Sequence, residues 1–214
     1  MTSINIVPKR SILEEIGNSI THGVGSIFSI VALILMLVLG QTTKECIAAI
    51  IYFIGMFVLF TMSCLYHAFK HGSKVKSLFR RFDYSSIYLL IGATYAPILL
   101  CYFETTLSLI FFIIQWVLIA TGITFISIFG PGRFKALHFT LYFVIGWSGL
   151  LFLPLMIQRD LGFFLLILGG GIIYSLGIVP FTMKNKSSHF IWHFFVLFGA
   201  VAQWIGIFIY IYLA

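Results

Sequence analysis

Seven apolar runs, each about as long as a lipid bilayer is thick, constrain this chain more than any other feature. They cover Ile20–Leu39, Ile47–Phe69, Tyr84–Phe103, Leu107–Phe129, Phe134–Met156, Leu161–Met183 and Phe190–Leu213. A helix crosses the hydrocarbon core in about 20 residues. Only helices and closed barrels satisfy every backbone group in lipid. Barrel strands alternate apolar and polar residues, and these runs do not. The expected fold is therefore all-α and integral to the membrane, a seven-transmembrane helix bundle. Composition agrees, with 61% hydrophobic and 9% charged residues against about 25% charged in a soluble domain. Little chain is left over, so the expected organisation is a cytoplasmic N-terminal segment at 1–17 and one transmembrane domain at 18–214. Residues 1–17 carry Glu14 and Glu15, and the run after them ends in LGQTTKE without a small-residue cleavage pattern. The first run thus reads as a retained span rather than a signal peptide.

The basic residues predict which way the bundle faces. Eleven of the thirteen lie on the N-terminal segment and on the loops after spans 2, 4 and 6: Lys9, Arg10, Lys70, Lys74, Lys76, Arg80, Arg81, Arg133, Lys135, Lys184 and Lys186. Lys44 and Arg159 are alone on the other side. The positive-inside rule puts the N-terminus in the cytoplasm and the C-terminus outside, so the expected location is the inner (plasma) membrane. The net charge of +7 comes from this asymmetry and suits anionic lipid headgroups. It gives no reason to invoke nucleic acid. Cys46, Cys64 and Cys101 show no metal-type spacing.

All six histidines fall toward the same, predicted cytoplasmic, face: His22, His67, His71, His138, His189 and His193. A lone interfacial histidine is ordinarily structural, its ring half wet among headgroups. His71, beside Lys70 and Lys74, reads that way, and His138 is undecided. His67 closes SCLYHAF, with Ser63 one turn deeper on the same helix face. Ionisable groups inside spans usually face the bundle interior and mark function. His189 and His193 are four apart, which brings their Cβ atoms within about 6 Å on one face. Three imidazoles from two helices are what a catalytic zinc takes, with a fourth position left for water; two interfacial aromatics in step is the competing account. The pair lacks the acid of H-E-x-x-H, because Phe190 follows His189. A general base would come from another helix, and Asp83 lies at the right depth. Asp83 also reads as an N-cap of span 3 or as a partner of Arg80 or Arg81.

Four blocks in order, EEIGNSITHGVG (14–25), SCLYHAF (63–69), FDYSSIYLLIGATYAP (82–97) and SHFIWHFFVLFGA (188–200), resemble the bacterial hemolysin III proteins. That family belongs with the progestin and adiponectin receptors in a superfamily that includes alkaline ceramidases. The resemblance implies the same seven-helix fold with the N-terminus inside. It also implies a zinc ion held by His67, His189 and His193, as in the receptor relatives, with Asp83 and Ser63 beside it. Glu14, Asn18 and His22, four apart on one helix face, become possible supporting groups at the mouth of the site. Two departures touch none of these positions: Gln203 stands where relatives often carry a histidine, and ATYAP (93–97) replaces GTYTP.

Three functions follow as expectations. The first is a zinc-dependent, ceramidase-like hydrolase of a membrane lipid amide or ester, with Asp83 as proton acceptor and Ser63 steadying the oxyanion or Asp83. The second is a non-enzymatic lipid-sensing or membrane-homeostasis protein with a structural zinc. The third, a pore-forming cytolysin, needs an export signal and a soluble form, neither of which the sequence displays. The glycines of span 6, Gly169, Gly170, Gly171 and Gly177, read as close helix packing or as a flexible side opening.

Overall fold

The computed structural model describes residues 7–183, 185 and 187–214. Residues 1–6, Lys184 and Lys186, the last two counted among the basic flanks above, lie outside the described residues. Among the described residues there are seven helices long and apolar enough to cross a membrane, and no strand. They are α1 (Ile12–Leu39), α2 (Thr43–Ala68), α3 (Lys74–Phe103), α4 (Thr106–Phe129), α5 (Lys135–Arg159), α6 (Leu161–Thr182) and α7 (Ser188–Tyr212).

Two helices start well before their apolar runs, and side-chain caps explain why. Ser11 Oγ accepts from the Glu14 N–H at 3.2 Å, and Ser73 Oγ accepts from the Lys76 N–H at 3.1 Å. Each serine satisfies a donor that a helix start leaves unpaired. α1 consequently runs unbroken through residues 17 and 18. α3 begins at Lys74, so Asp83 sits well inside a helix and is not its N-cap.

α2 is the centre of the bundle, packing along α1 on one side and α3 on the other, while α7 pairs with α6 and returns to α1. Without a hydrophobic force between helices in lipid, close approach depends on small residues. Gly55 is the case where α2 meets α3. A Cβ there would fall 2.2 Å from the Ala93 Cβ and 2.8 Å from the Leu89 carbonyl oxygen. The α6 glycines divide by face: Gly170 and Gly177 abut Gln203 and Phe195 of α7, whereas Gly169 has nothing within 4 Å. Close packing accounts for the first two.

α5 is broken. Its α-helix stops at Trp147, a 3-10 turn covers Ser148–Phe152, and the helix resumes at Leu153 with Pro154 in its first turn. A break inside lipid exposes backbone groups that something must satisfy. Tyr95 of α3 does so, its hydroxyl donating to the Gly146 carbonyl at 2.6 Å and accepting from the Gly149 N–H at 2.9 Å. Gln115 of α4 donates to Ser148 Oγ at 2.8 Å. α3 ends in a π-helical turn, Ile98–Phe103, directly after Pro97, which lacks the N–H a regular turn needs. At the end of the bundle opposite the histidines, Lys44 pairs with Glu104. Cys46, Cys64 and Cys101 are free thiols.

Gly55→Ala forces α2 and α3 apart and is expected to cost about 1–3 kcal/mol, read as a lowered midpoint of thermal unfolding in detergent. Gly169→Ala is expected to leave that midpoint unchanged. Equal effects would mean that the Gly55 contact does not limit the packing.

Candidate metal centre

Four helices deliver their polar residues to the same end of the bundle. α1 contributes Glu15, Asn18 and His22, which share one face at spacings of three and four. α2 contributes Ser63 and His67 in its last two turns, α3 contributes Lys76 and Asp83, and α7 opens with His189 and His193.

The potential metal-ligating atoms of His67, His189 and His193 all lie within 4.8 Å of one another. The Nε2 atoms of His189 and His193 are 3.3 Å apart. A zinc–nitrogen bond of about 2.0–2.1 Å sets a tetrahedral edge of about 3.3–3.4 Å, so the pair already has the spacing of two ligands. A single N–H···N hydrogen bond also fits that distance. His67 distinguishes the two: its Nδ1 meets the Glu15 carboxylate at 2.5 Å, while its buried Nε2 has no hydrogen-bond partner. An imidazole with one nitrogen fixed by a carboxylate and the other left bare is the usual state of a metal-binding histidine. The donor set therefore fits a borderline cation such as zinc.

The groups around the trio lock its rings. Asn18 Nδ2 is 3.3 Å from His67 Nδ1. His22 stacks on His193 with ring centroids 3.8 Å apart. Glu15 is bound in turn by Lys76, whose Nζ lies 3.0 Å from Oε1 and also donates to the carbonyls of Phe69 at 3.0 Å and His67 at 3.3 Å. Lys76 is 1% exposed, and a buried ammonium persists only with such pairing. Asp83 stands outside the trio and lines the same cavity as Ser63. Glu14, unlike its neighbour, faces Arg10 at 3.9 Å and touches none of the histidines. His138 is buried against Tyr88, and His71 is exposed.

Glu15 and Lys76 carry this arrangement, and neither belongs to the motifs that mark the site in the sequence. Glu15 was legible: it precedes Asn18 by three and His22 by seven, a better helix face than the series from Glu14. Lys76 was hidden among flanking charges, and its burial follows only once α3 begins at Lys74.

Beside the histidines a cavity of about 210 Å³ opens into the bundle. Arg10, Ser63, Asp83 and His193 line its polar end, and side chains such as Leu99, Phe152 and Met156 line its body. An apolar chamber with a few convergent polar groups is the usual form of a small-molecule site.

A family model described as haemolysin-III related matches residues 10–204. The chain is similar to hemolysin-3 of Bacillus cereus, 37% identical over 203 residues that cover 92% of each chain. It is also similar to the hemolysin-3 homolog of Bacillus subtilis, 35% identical over 205 residues covering 94% of this chain and 95% of that one. The human monocyte to macrophage differentiation factor is 30% identical over 210 residues, 95% of this chain and 87% of its own.

Lys76→Met strands the Glu15 carboxylate and is expected to lower unfolding stability by about 3 kcal/mol. The double variant Glu15→Gln, Lys76→Met should be more stable than the sum of the single effects by at least about 1 kcal/mol. Strict additivity in detergent unfolding would show that the two residues act independently.

Proposed function

Since the chain belongs to the haemolysin III family of multi-pass membrane proteins, we propose that its histidine trio holds zinc and that the centre hydrolyses an amide or ester bond of a membrane lipid. The observation that carries this reading is the bare Nε2 of His67 facing the 3.3 Å pair of His189 and His193 at the polar end of an apolar chamber. A zinc ion held there would supply Lewis acidity toward a carbonyl oxygen and toward water.

The chain's own residues do the rest. Glu15 and Asn18 hold the His67 ring so that Nε2 points inward, and Lys76 holds Glu15. His22 fixes the plane of His193. Asp83 accepts the proton of the attacking water, and the Ser63 hydroxyl orients that carboxylate or donates to the oxyanion. The chamber body takes the acyl chain and keeps bulk water from the reacting bond. Among the described residues, nine of eleven basic residues flank this end of the bundle, which supports placing it on the cytoplasmic side of the plasma membrane.

A second reading keeps the zinc and drops the turnover. In a lipid-sensing protein the same centre would pin α2 to α7, as the closure between His67 and the α7 pair suggests. Metal analysis of the purified protein should find about one zinc per chain, and His67→Ala and His193→Ala should abolish it. Glu15→Gln should weaken zinc binding by roughly 10–100-fold. Asp83→Asn should retain zinc and remove hydrolysis of ceramides, acylated amines or lysolipids. If the zinc-loaded native protein turns over none of these faster than His67→Ala, the hydrolase reading falls and the sensing one stands.

A further inference from the structure

The chamber runs away from the histidines and has a definite far end. Asp83 and Leu99 of α3 both line it. From position 83 to position 99 is sixteen residues, or about 24 Å at 1.5 Å per helical residue. Beyond Leu99 a connected layer of aromatic rings crosses the bundle. Phe152 of α5 stands between Phe103 of α3, with ring centroids 4.7 Å apart, and Phe111 of α4, at 5.2 Å. The layer continues from Phe103 to Tyr102 at 5.2 Å, from Tyr102 to Phe163 of α6 at 4.2 Å, and from Phe163 to Tyr210 of α7 at 5.8 Å. Phe103 and Phe152 line the chamber, whereas Phe111 and Phe163 do not. The cavity therefore ends on the first two. The break in α5 supplies one of them, since its 3-10 turn ends at Phe152, which is 4% exposed. Thr94, Tyr95, Ser175 and Gln203 line the body of the chamber, and each turns its donor to a backbone carbonyl. A body with its polar donors turned aside suits an unbranched apolar tail.

We propose that the stacked pair Phe103 and Phe152 is the floor of the chamber and sets the longest lipid tail that the protein accepts. The proposal rests on the proposed function, in which the chamber holds a lipid tail with its head at the histidine end. An extended polypeptide covers about 3.6 Å in three bonds, and an extended alkyl chain likewise advances about 1.2 Å per bond. The distance of about 24 Å from Asp83 to Leu99 then takes about 20 bonds. The substrate class selected is a lipid with one long unbranched tail of about 18 carbons, its head and linking bond taking the remainder. A longer tail meets rings braced by neighbours from other helices, and a packed layer yields little to an added methylene.

The test is binding, not turnover. Purified full-length protein in a non-ionic detergent is titrated with 1-O-alkylglycerols, which contain no amide or ester bond, following tryptophan fluorescence, since Trp147 and Trp192 line the chamber. A series from about 12 to about 24 carbons brackets the expected limit of about 18. A tail in a micelle is already out of water, so affinity should stay level within about threefold up to the limit. Over the next few carbons it should fall at least about tenfold. Phe152→Leu opens the floor and should move the fall to longer tails. Leu99→Phe raises the floor and should move it to shorter ones. Phe163→Leu alters the aromatic layer where it does not line the chamber and should leave the fall in place. A variant that only loosened the fold would weaken every length alike, so opposite shifts from Phe152→Leu and Leu99→Phe cannot come from instability. Affinity that stays level through the whole series overturns the proposal in favour of a tail that leaves sideways between helices. A fall that neither chamber variant moves, or that Phe163→Leu moves as far as Phe152→Leu, also overturns it. So does the absence of binding at every length. The hydrolase reading is decided apart from this, by turnover of amide and ester lipids. A protein that cleaves nothing can still show the length limit, and one that cleaves tails of every length alike loses only the floor.

Discussion

A lysine ammonium inside a helix bundle costs several kcal/mol unless a counter-charge and hydrogen-bond acceptors meet it. Lys76 meets both, and the way it does so organises this end of the molecule. Its ammonium takes a carboxylate from α1 and two carbonyls at the end of α2, so three helices are tied at one atom. The carboxylate is not spent by this contact, because its second oxygen reaches His67. The charge that stabilises Lys76 is the same charge that orients an imidazole. Removing either partner would leave the other in surroundings with little water to solvate it. Charge, helix position and ring orientation are therefore one constraint rather than three.

That coupling explains what the sequence discloses and what it hides. The seven helices are legible because the bilayer imposes a length, and a length can be counted. The pairing of His189 with His193 is legible because 3.6 residues per turn brings positions four apart together. Helix starts are less legible. α1 and α3 extend past lipid on polar residues that read as flanks, held by Ser11 and Ser73 caps. Those extra turns are what carry Glu15 and Lys76 into the site. Asp83 shows the same effect in reverse: it resembles a cap only while the helix is taken to begin beside it.

The break in α5 belongs to another class, since no local pattern in WSGLLFLP says which side chains will repair it. Tyr95 and Gln115 come from two other helices, and their roles depend on the packed bundle. The same holds for His138. As one more interfacial histidine it is unremarkable in sequence. Its distinction arises because Tyr88 occupies one ring nitrogen and the packed helices bury the ring.

The chamber beside the histidines has an apolar body set among helices of membrane-spanning length. On the proposed function, a molecule whose tail rests there would exchange with bilayer lipid and need never dissolve in water. What it responds to is then its mole fraction in the leaflet, not its concentration in the surrounding volume. Diluting the membrane with inert lipid empties such a site; diluting the suspension with buffer leaves its occupancy unchanged. Occupancy becomes a property of membrane composition, fixed by the neighbours with which the protein shares its two-dimensional solvent.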